Sequence, residues 1–400
     1  MDWSPQQEDA LRKVGEWLRD PNAAQVFRLF GFAGTGKTTL ARIFAQDVNG
    51  TVLFGAYTGK AAYVMRTKGC EGATTIHSLI YKSREKGDAR LRELEKELEE
   101  LSEKHNEDHP QIVDIQKEIS LEKSNLKQPF FVKNLDSAVK EASLVVIDEC
   151  SMVDQDMALD LLSFGTKVLV LGDPAQLPPV GGAGYFTENV TPDVMLTEVH
   201  RQAGESPIIW MATKVRNAES IPLGDYGNCG VIEKANPEMV FDYDQILVGK
   251  NKTRSASNKR FRNLLGRESP YPVVEDKLVC LRNNHEEGLL NGAIFHVAEV
   301  GEVDDRKILM SIRGENSRIV QEVLAHEHHM LGCSEELQWY ERKDAQEFDY
   351  GYALTVHKSQ GSQWDNVLLF DEAHVFRKDR WRWLYTGITR AAEKVTIVRM

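Results

Sequence analysis

Val26-Phe27-Arg28-Leu29-Phe30-Gly31-Phe32-Ala33-Gly34-Thr35-Gly36-Lys37-Thr38-Thr39 is the stretch on which the fold turns. A short β-rich run, Val26 to Phe30, enters a loop, and a helical pattern starts at Leu40. Gly31, Gly36, Lys37 and Thr38 fill the pattern G-x-x-x-x-G-K-[ST] in full, in the strand–loop–helix setting that gives it meaning. Glycines let backbone N–H groups wrap phosphate oxygens, and the helix N-terminus adds a favourable dipole. Ala33, Gly34, Thr35, Gly36, Lys37, Thr38 and Thr39 are therefore candidates for holding a nucleoside triphosphate. Lys37 is expected to reach the β- and γ-phosphates, and the Thr38 hydroxyl to hold Mg²⁺. The competing reading, a Gly-rich turn with a chance Lys-Thr, lacks support from the flanking elements.

Working outward, Leu144-Val145-Val146-Ile147 is a buried-strand run that ends in Asp148-Glu149. Asp148 is the candidate metal carboxylate, and Glu149 the candidate base for an attacking water. The bland alternative is an acidic strand end before a helix start. Further buried-strand candidates are residues 51–56, 168–171, 246–248 and 367–370. Strands alternating with helical patterns imply parallel sheets covered on both faces. One set precedes Asp193 and another follows Phe241, which implies two α/β domains. Phe370-Asp371-Glu372-Ala373-His374 also follows a strand, but a single phosphate loop needs one acidic pair. Asp371 and Glu372 are read as a solvated strand end.

The chain has 400 residues, 42% hydrophobic and 28% charged, a globular mix. Lys+Arg 49 against Asp+Glu 61 gives a net charge of −12, so any nucleic-acid site must be a local basic track on an acidic body. Five scattered cysteines without a CxxC pair exclude a disulfide framework and a zinc ribbon. No run approaches the ~20 apolar residues of a membrane span. The first residues lack a signal-peptide pattern, so a cytoplasmic location is expected.

Two insertions interrupt the alternation. Residues 84–127 carry nine basic and thirteen acidic residues. Leu91, Leu94, Leu98 and Leu101 form one apolar seam, and Ile112, Ile115, Ile119 and Leu126 another, on either side of Asp108-His109-Pro110. This pattern reads as an antiparallel helical hairpin. Residues 291–348 alternate in short runs and read as a small β-barrel. Within them, Ala325-His326-Glu327-His328-His329 with Cys333 reads as a surface polar patch rather than a metal site.

Asp148-Glu149-Cys150-Ser151-Met152-Val153, the Gly172-Asp173-Pro174-Ala175-Gln176-Leu177-Pro178-Pro179 stretch, Thr355-Val356-His357-Lys358-Ser359-Gln360-Gly361 and Tyr385-Thr386-Gly387-Ile388-Thr389-Arg390-Ala391 follow in order. The series resembles superfamily 1B DNA helicases of the RecD/Dda group over nearly the whole chain. The resemblance implies two RecA-like parallel-sheet domains with ATP between them and 5′→3′ movement on single-stranded DNA. Relatives place a strand-splitting pin where this chain has its helical-hairpin insertion in the first domain, and the small β-barrel resembles their SH3-like insertion in the second. The expected boundaries are 1–83 and 128–192 for domain 1A, 84–127 for a pin-like 1B, 193–290 and 349–400 for 2A, and 291–348 for 2B. Position by position, Gln7 resembles the glutamine that reads adenine, and Gln176 the γ-phosphate sensor. Arg201 and Arg390 resemble the arginines that the second domain points at the γ-phosphate, and Gly361 joins the nucleotide set. His200 stands where relatives often have an aromatic residue, and Tyr57 where proline is commoner.

The resemblance also implies DNA contacts at Thr58, Lys60, His77, Ser78, Thr355, His357 and Lys358. A translocase needs such hydroxyls, cations and a few stacking rings, without base readout. Residues 250–267 hold seven basic residues and no acid, either a flank of the track or a solvated helix face. Trp381 and Trp383, among Arg377, Lys378, Arg380 and Arg382, are either stacking platforms or core. The expected partners are single-stranded and forked DNA, with the chain a monomer and no membrane. The hairpin is a strand-splitting pin or, given its acidity, a dock for a protein partner. A DNA-stimulated remodelling ATPase and a motor subunit of a nuclease complex remain alternative readings.

Overall fold

The computed structural model describes residues 3–46, 48–83, 88–102, 109–125, 131–179, 182–198, 206–284, 287–304, 306–314, 319–333 and 345–400. They divide into two compact units, residues 77–137 and the rest of the chain.

The larger unit contains two six-stranded sheets and a closed barrel. In the first sheet the strand order is Thr74–Thr75, Val52–Ala56, Leu144–Asp148, Val168–Gly172, Val26–Gly31, Val194–Leu196, and every pairing is parallel. Leu144–Asp148 and Val168–Gly172 are buried at every position, as expected of strands covered on both faces. Parallel register brings Gly31, Asp148 and Gly172 to one carboxyl edge, where ligands of open α/β sheets bind. The helix Pro5–Arg19 starts with a capping box: the Ser4 hydroxyl accepts from the Gln7 amide, and Gln7 Oε1 accepts from the Ser4 amide. Its Ala10, Val14 and Trp17 join Leu29, Leu40, Phe44 and Leu169 in the core.

The second sheet runs Ala353–Thr355, Gln245–Val248, Trp364–Asp371, Ala391–Arg399, Cys229–Ile232, Gly224–Tyr226, with only the last strand antiparallel to its neighbour. Helices Pro207–Arg216 and Arg380–Ile388 pack on one another beside it. Trp383 is fully buried in that core and stacks on Phe376 at 5.4 Å and 11°. Its ring therefore packs as core. Trp381 is partly buried under the Arg380 guanidinium, 4.4 Å from the ring centroid.

The barrel joins Lys277–Cys280, Ile294–Asp304, Lys307–Gly314, Ile319–His326 and Gln346–Tyr350. It starts upstream of residue 291, because Leu278–Cys280 pair with Phe348–Tyr350 and supply the closing strand. Leu278, Phe295, Val297, Ile308, Met310, Ile312 and Phe348 fill it. The histidine cluster is not a surface patch. His326 and His328 are 1% and 2% exposed, and His329 pairs with Glu347 at 2.7 Å.

The smaller unit pairs Tyr81–Ser83 with Phe131–Lys133 antiparallel. Its helices, Asp88–Ser102 and Pro110–Asn125, meet through Leu94, Leu98, Leu101, Ile115 and Ile119. The unit is wider than residues 84–127 because this strand pair forms its base. Asp108 and Leu126 lie outside the described residues. No helix among the described residues is long and apolar enough to cross a membrane.

Candidate active site

The loop after Val26–Gly31 closes tightly. Gly34 and Gly36 have φ of 80° and 83°, the left-handed region that glycine enters without steric cost. A Cβ on Gly31 would lie 2.5 Å from Thr35 Oγ1 and 2.9 Å from Leu196 Cβ, so only glycine fits there. The Thr35 hydroxyl donates to the Phe32 carbonyl, and Lys37 Nζ donates to the carbonyls of Gly31 and Phe32 at 2.6 and 3.1 Å. Gln7 is buried and donates through Nε2 to the Thr35 carbonyl at 3.0 Å. In this structure it braces the loop from behind.

Thr38 Oγ1 donates to Asp148 Oδ2 at 2.7 Å, across the strand Val168–Gly172. Hydroxyl and carboxylate oxygen are the hard donors that Mg²⁺ prefers, so the pair suits that ion. Asp148 Oδ1 accepts from the Glu149 amide at 2.8 Å, and Glu149 itself turns the chain at φ 53°. Burial lifts the Glu149 carboxyl above its usual pKa. Asp148 and Asp173 push the same way, while Arg390 and Lys37 oppose them. Gln176 is 7% exposed, and its Oε1 has no partner among the described residues. Arg390, from the turn after Arg380–Ile388, donates to the carbonyls of Thr386 and Ser362.

These groups line one cavity of about 590 Å³, with Ala33, Gly34, Gly36, Lys37, Thr38, Thr39, Asp148 and Glu149 on one side and Gly361, Thr389 and Arg390 on the other. Gln176 is also on its wall. The lobes approach closely at Gly361, φ 76°, where a Cβ would lie 2.9 Å from Ala61 Cβ and 3.0 Å from Thr58 Oγ1. Lys60 lines this same cavity and is absent from the walls of the groove described next. Arg201 and His200 lie outside the described residues.

Two further cavities, about 590 and 680 Å³, share Pro179, Gly182, Ala183, His357 and Lys358 on their walls. Together they form a groove flanked by Tyr57, Met152 and Gln155 and by Asn251, Thr355, Phe376 and Arg382. The His357 ring lies 5.2 Å from Phe376, which backs onto Trp383. Burial lowers the His357 pKa against a weaker opposing pull from Asp379, favouring the neutral ring. Thr58 caps the helix Gly59–Thr67 by accepting from the Ala61 amide. His77 and Ser78 belong to the smaller unit and are exposed there, His77 beside Tyr81.

Four of the seven cations of the basic run 250–267 are paired within the second lobe, while Lys252, Lys259 and Arg260 are exposed. Arg254 pairs with Asp349 at 2.6 Å, Arg262 and Arg267 with Asp276 at 3.0 and 2.8 Å, and Lys250 with Glu372 at 3.0 Å. Glu372 is 2% exposed and also accepts from the Gly249 and Lys250 amides and the Thr253 hydroxyl. It is a buried anchor, not a solvated strand end. In the sequence, Asp173 and Tyr385 stand out only as letters of their motifs. Both are buried, and the Tyr385 hydroxyl donates to Asp173. The one hint in sequence is that Asp173 directly follows the end of the strand Val168–Gly172.

Comparison with known proteins follows the same division. A profile of the AAA domain family matches residues 3–236, and one of the UvrD-like helicase C-terminal domain matches residues 350–398. The ATP-dependent RecD2 DNA helicase of Deinococcus radiodurans is 25% identical over 282 residues, 63% of this chain and 35% of that protein. The chain belongs to this AAA-domain family. The conjugal transfer protein TraA of Agrobacterium fabrum is 24% identical over 64% of this chain and 24% of its own length. The chain thus spans well under half the length of the curated relatives it matches. Among solved structures, Pif1 at forked duplex DNA aligns with a TM-score of 0.56 and 17% identity, covering 99% of this chain and 92% of that one. Bacteroides Pif1 in complex with ADP-AlF3 and ssDNA gives 0.55 and 18% over the same shares. These likenesses concern the fold: paired parallel sheets with a barrel in the C-terminal half.

Proposed function

We propose that this chain is an ATP-dependent DNA helicase that moves 5′→3′ on single-stranded DNA and separates duplex. The observation that carries the reading is the shared cavity: a phosphate loop and acidic pair from one lobe face Arg390 from the other. Charge that develops on a transferring phosphoryl group is best met by a guanidinium delivered across a closing cleft, which ties hydrolysis to lobe motion. In this scheme Lys37 and the loop amides hold the phosphates, Glu149 takes the water's proton, Gln176 senses the γ-phosphate and Gln7 stations the loop beside the base. Arg390 and Arg201 complete the site. Mg²⁺, held by Thr38 and Asp148, would neutralise phosphate charge.

The groove supports a strand path. Thr355, His357, Lys358 and Asn251 offer backbone-type contacts, and Phe376 on its Trp383 support offers a stacking face. Thr58, His77 and Ser78 extend the proposed DNA set, and Lys60 is reassigned to the nucleotide side. The domain scheme follows: 1A and 2A are the two sheets, 2B is an SH3-like barrel, and the smaller unit is a helical-hairpin 1B that splits the duplex. Single-stranded and forked DNA are the proposed partners, in a cytoplasmic setting.

Forked substrates with one 5′ or one 3′ tail test the reading. Purified protein should open the 5′-tailed duplex with ATP, and Lys37→Ala should abolish both hydrolysis and opening. ATP hydrolysis without any unwinding would point instead to a remodelling ATPase. Removing residues 84–127 should leave hydrolysis intact and end fork opening; unwinding by that variant would remove the wedge.

A further inference from the structure

Two consecutive residues of the phosphate loop are held by the opposite lobe. The Arg216 guanidinium, ending the helix Pro207–Arg216, lies 3.6 Å from the Phe32 ring centroid. The next residue, Ala33, donates its amide to the Tyr385 hydroxyl at 3.1 Å. Tyr385 is 1% exposed, and its hydroxyl proton goes to Asp173, also 1% exposed. Asp173 Oδ1 accepts from the Ala175 amide, and its carbonyl from the Gln176 amide. Donor and acceptor capacity of that hydroxyl is therefore spent on two motifs of the first lobe.

The neighbouring residue continues the connection. Thr386 Oγ1 accepts from the Leu177 amide at 3.0 Å, and the Leu177 carbonyl accepts from Gln360 Nε2 at 3.0 Å. Gln360 and Pro179 stand on the groove wall beside His357 and Lys358. The Thr386 carbonyl holds Arg390 Nε at 3.1 Å. One helical turn thus touches the phosphate loop, the Gln176 turn, the arginine and the groove wall.

We propose that Tyr385 is the positioning residue through which strand and nucleotide sense each other. Its hydroxyl occupies the amide of Ala33, a backbone donor of the phosphate loop. A triphosphate that claims this amide releases the hydroxyl, and the turn carrying Asp173, Gln176 and Leu177 shifts against the groove. The inference rests on the helicase reading and names a coupling element within it. Coupling of this kind is reciprocal: each ligand must change the other's affinity by the same factor, commonly about 5- to 150-fold.

The test uses the full chain, the fluorescent analogue mant-AMPPNP with Mg²⁺, and a dT16 oligonucleotide. Each affinity is measured with and without the other ligand. Tyr385→Phe keeps the ring and removes both hydrogen bonds. It should tighten mant-AMPPNP binding alone about 2- to 10-fold, the worth of one competing neutral hydrogen bond. It should leave dT16 binding alone unchanged within about threefold, and bring the coupling factor to within about twofold of one. Asp173→Asn, which keeps an acceptor for the hydroxyl, should retain most of the coupling; a general packing defect would not separate these variants. Wild-type coupling preserved in Tyr385→Phe overturns the assignment while the helicase reading stands. A wild-type chain that binds neither ligand takes down both.

Discussion

Asp276 is the most committed carboxylate in the second lobe, and replacing it gives a stability prediction that can be worked from contacts. It is 0% exposed. It accepts from Arg262 Nε at 3.2 Å and Nη2 at 3.0 Å, from Arg267 at 2.8 Å, from the Tyr352 hydroxyl at 2.7 Å and from the Val273 amide at 2.8 Å. Asp276→Ala removes the charge that answers Arg262, itself 5% exposed and stacked 4.2 Å from the Tyr350 ring. Breaking one partner out of a buried ion pair costs about 3–5 kcal/mol, because the other charge stays in place. Arg262 keeps the carbonyls of Ser269 and Tyr271, which argues for the lower half of that range. For a melting unit of roughly 200 residues, each kcal/mol moves Tm by about 2–4 °C, so the transition should fall by roughly 6–15 °C in calorimetry. Arg262→Met added to Asp276→Ala should cost less than the two changes summed, since no guanidinium is then stranded. An Asp276→Ala protein melting within about 2 °C of wild type would refute the reasoning.

Glu149→Gln should cut hydrolysis about 10²–10⁴-fold while nucleotide still binds. In the unmodified protein, protonation removes the base. Because the folded pKa lies above the ordinary 4.5, strand-stimulated turnover should fall with decreasing pH before that value is reached; a rate flat down to about pH 4.5 would contradict it. Gly361→Ala should lower strand-stimulated ATPase at least about tenfold by wedging the lobes apart. The control Gly292→Ala, at φ 86° with nothing within 4 Å, should cost only about 1 kcal/mol of backbone strain and leave the rate alone. Glu372→Gln should lower Tm at pH 7 by several degrees. Burial would raise the Glu372 pKa, but bonds from Thr253, Lys250 and Gly249 outweigh it and lower it, so its stabilisation is present above pH 4.5 and fades below. The gap between variant and wild type should therefore shrink in melts near pH 4, and a constant gap counts against the anchor.

The strands around residues 144–147, 168–171 and 246–248 were readable because each is an unbroken Val/Ile/Leu run, as a doubly covered sheet requires. The strand Ala391–Arg399 was not, since Ala-Ala-Glu-Lys conceals its start and its buried half is just Val395 to Val398. The phosphate loop announced itself through spacing, whereas the partners of residues 250–267 did not. Asp349 and Glu372 lie 95 and 122 residues from the cations they meet, beyond any local charge count. The same distance hid the role of Glu372, whose neighbours in sequence look like a solvated strand end. Tyr385 and Asp173 were visible as motif letters, but a hydrogen bond between residues 212 apart belongs to the fold alone.

The barrel leaves and rejoins the second lobe through strands that are hydrogen-bonded neighbours, Lys277–Cys280 and Gln346–Tyr350. Its two ends are thus stitched together whatever the arrangement of the intervening 65 residues. A segment anchored in this way can lengthen, shorten or be exchanged while Thr355 to Gly361 keep their footing on the sheet, so growth at this seam is a route by which this fold can acquire new attachments without disturbing its cleft.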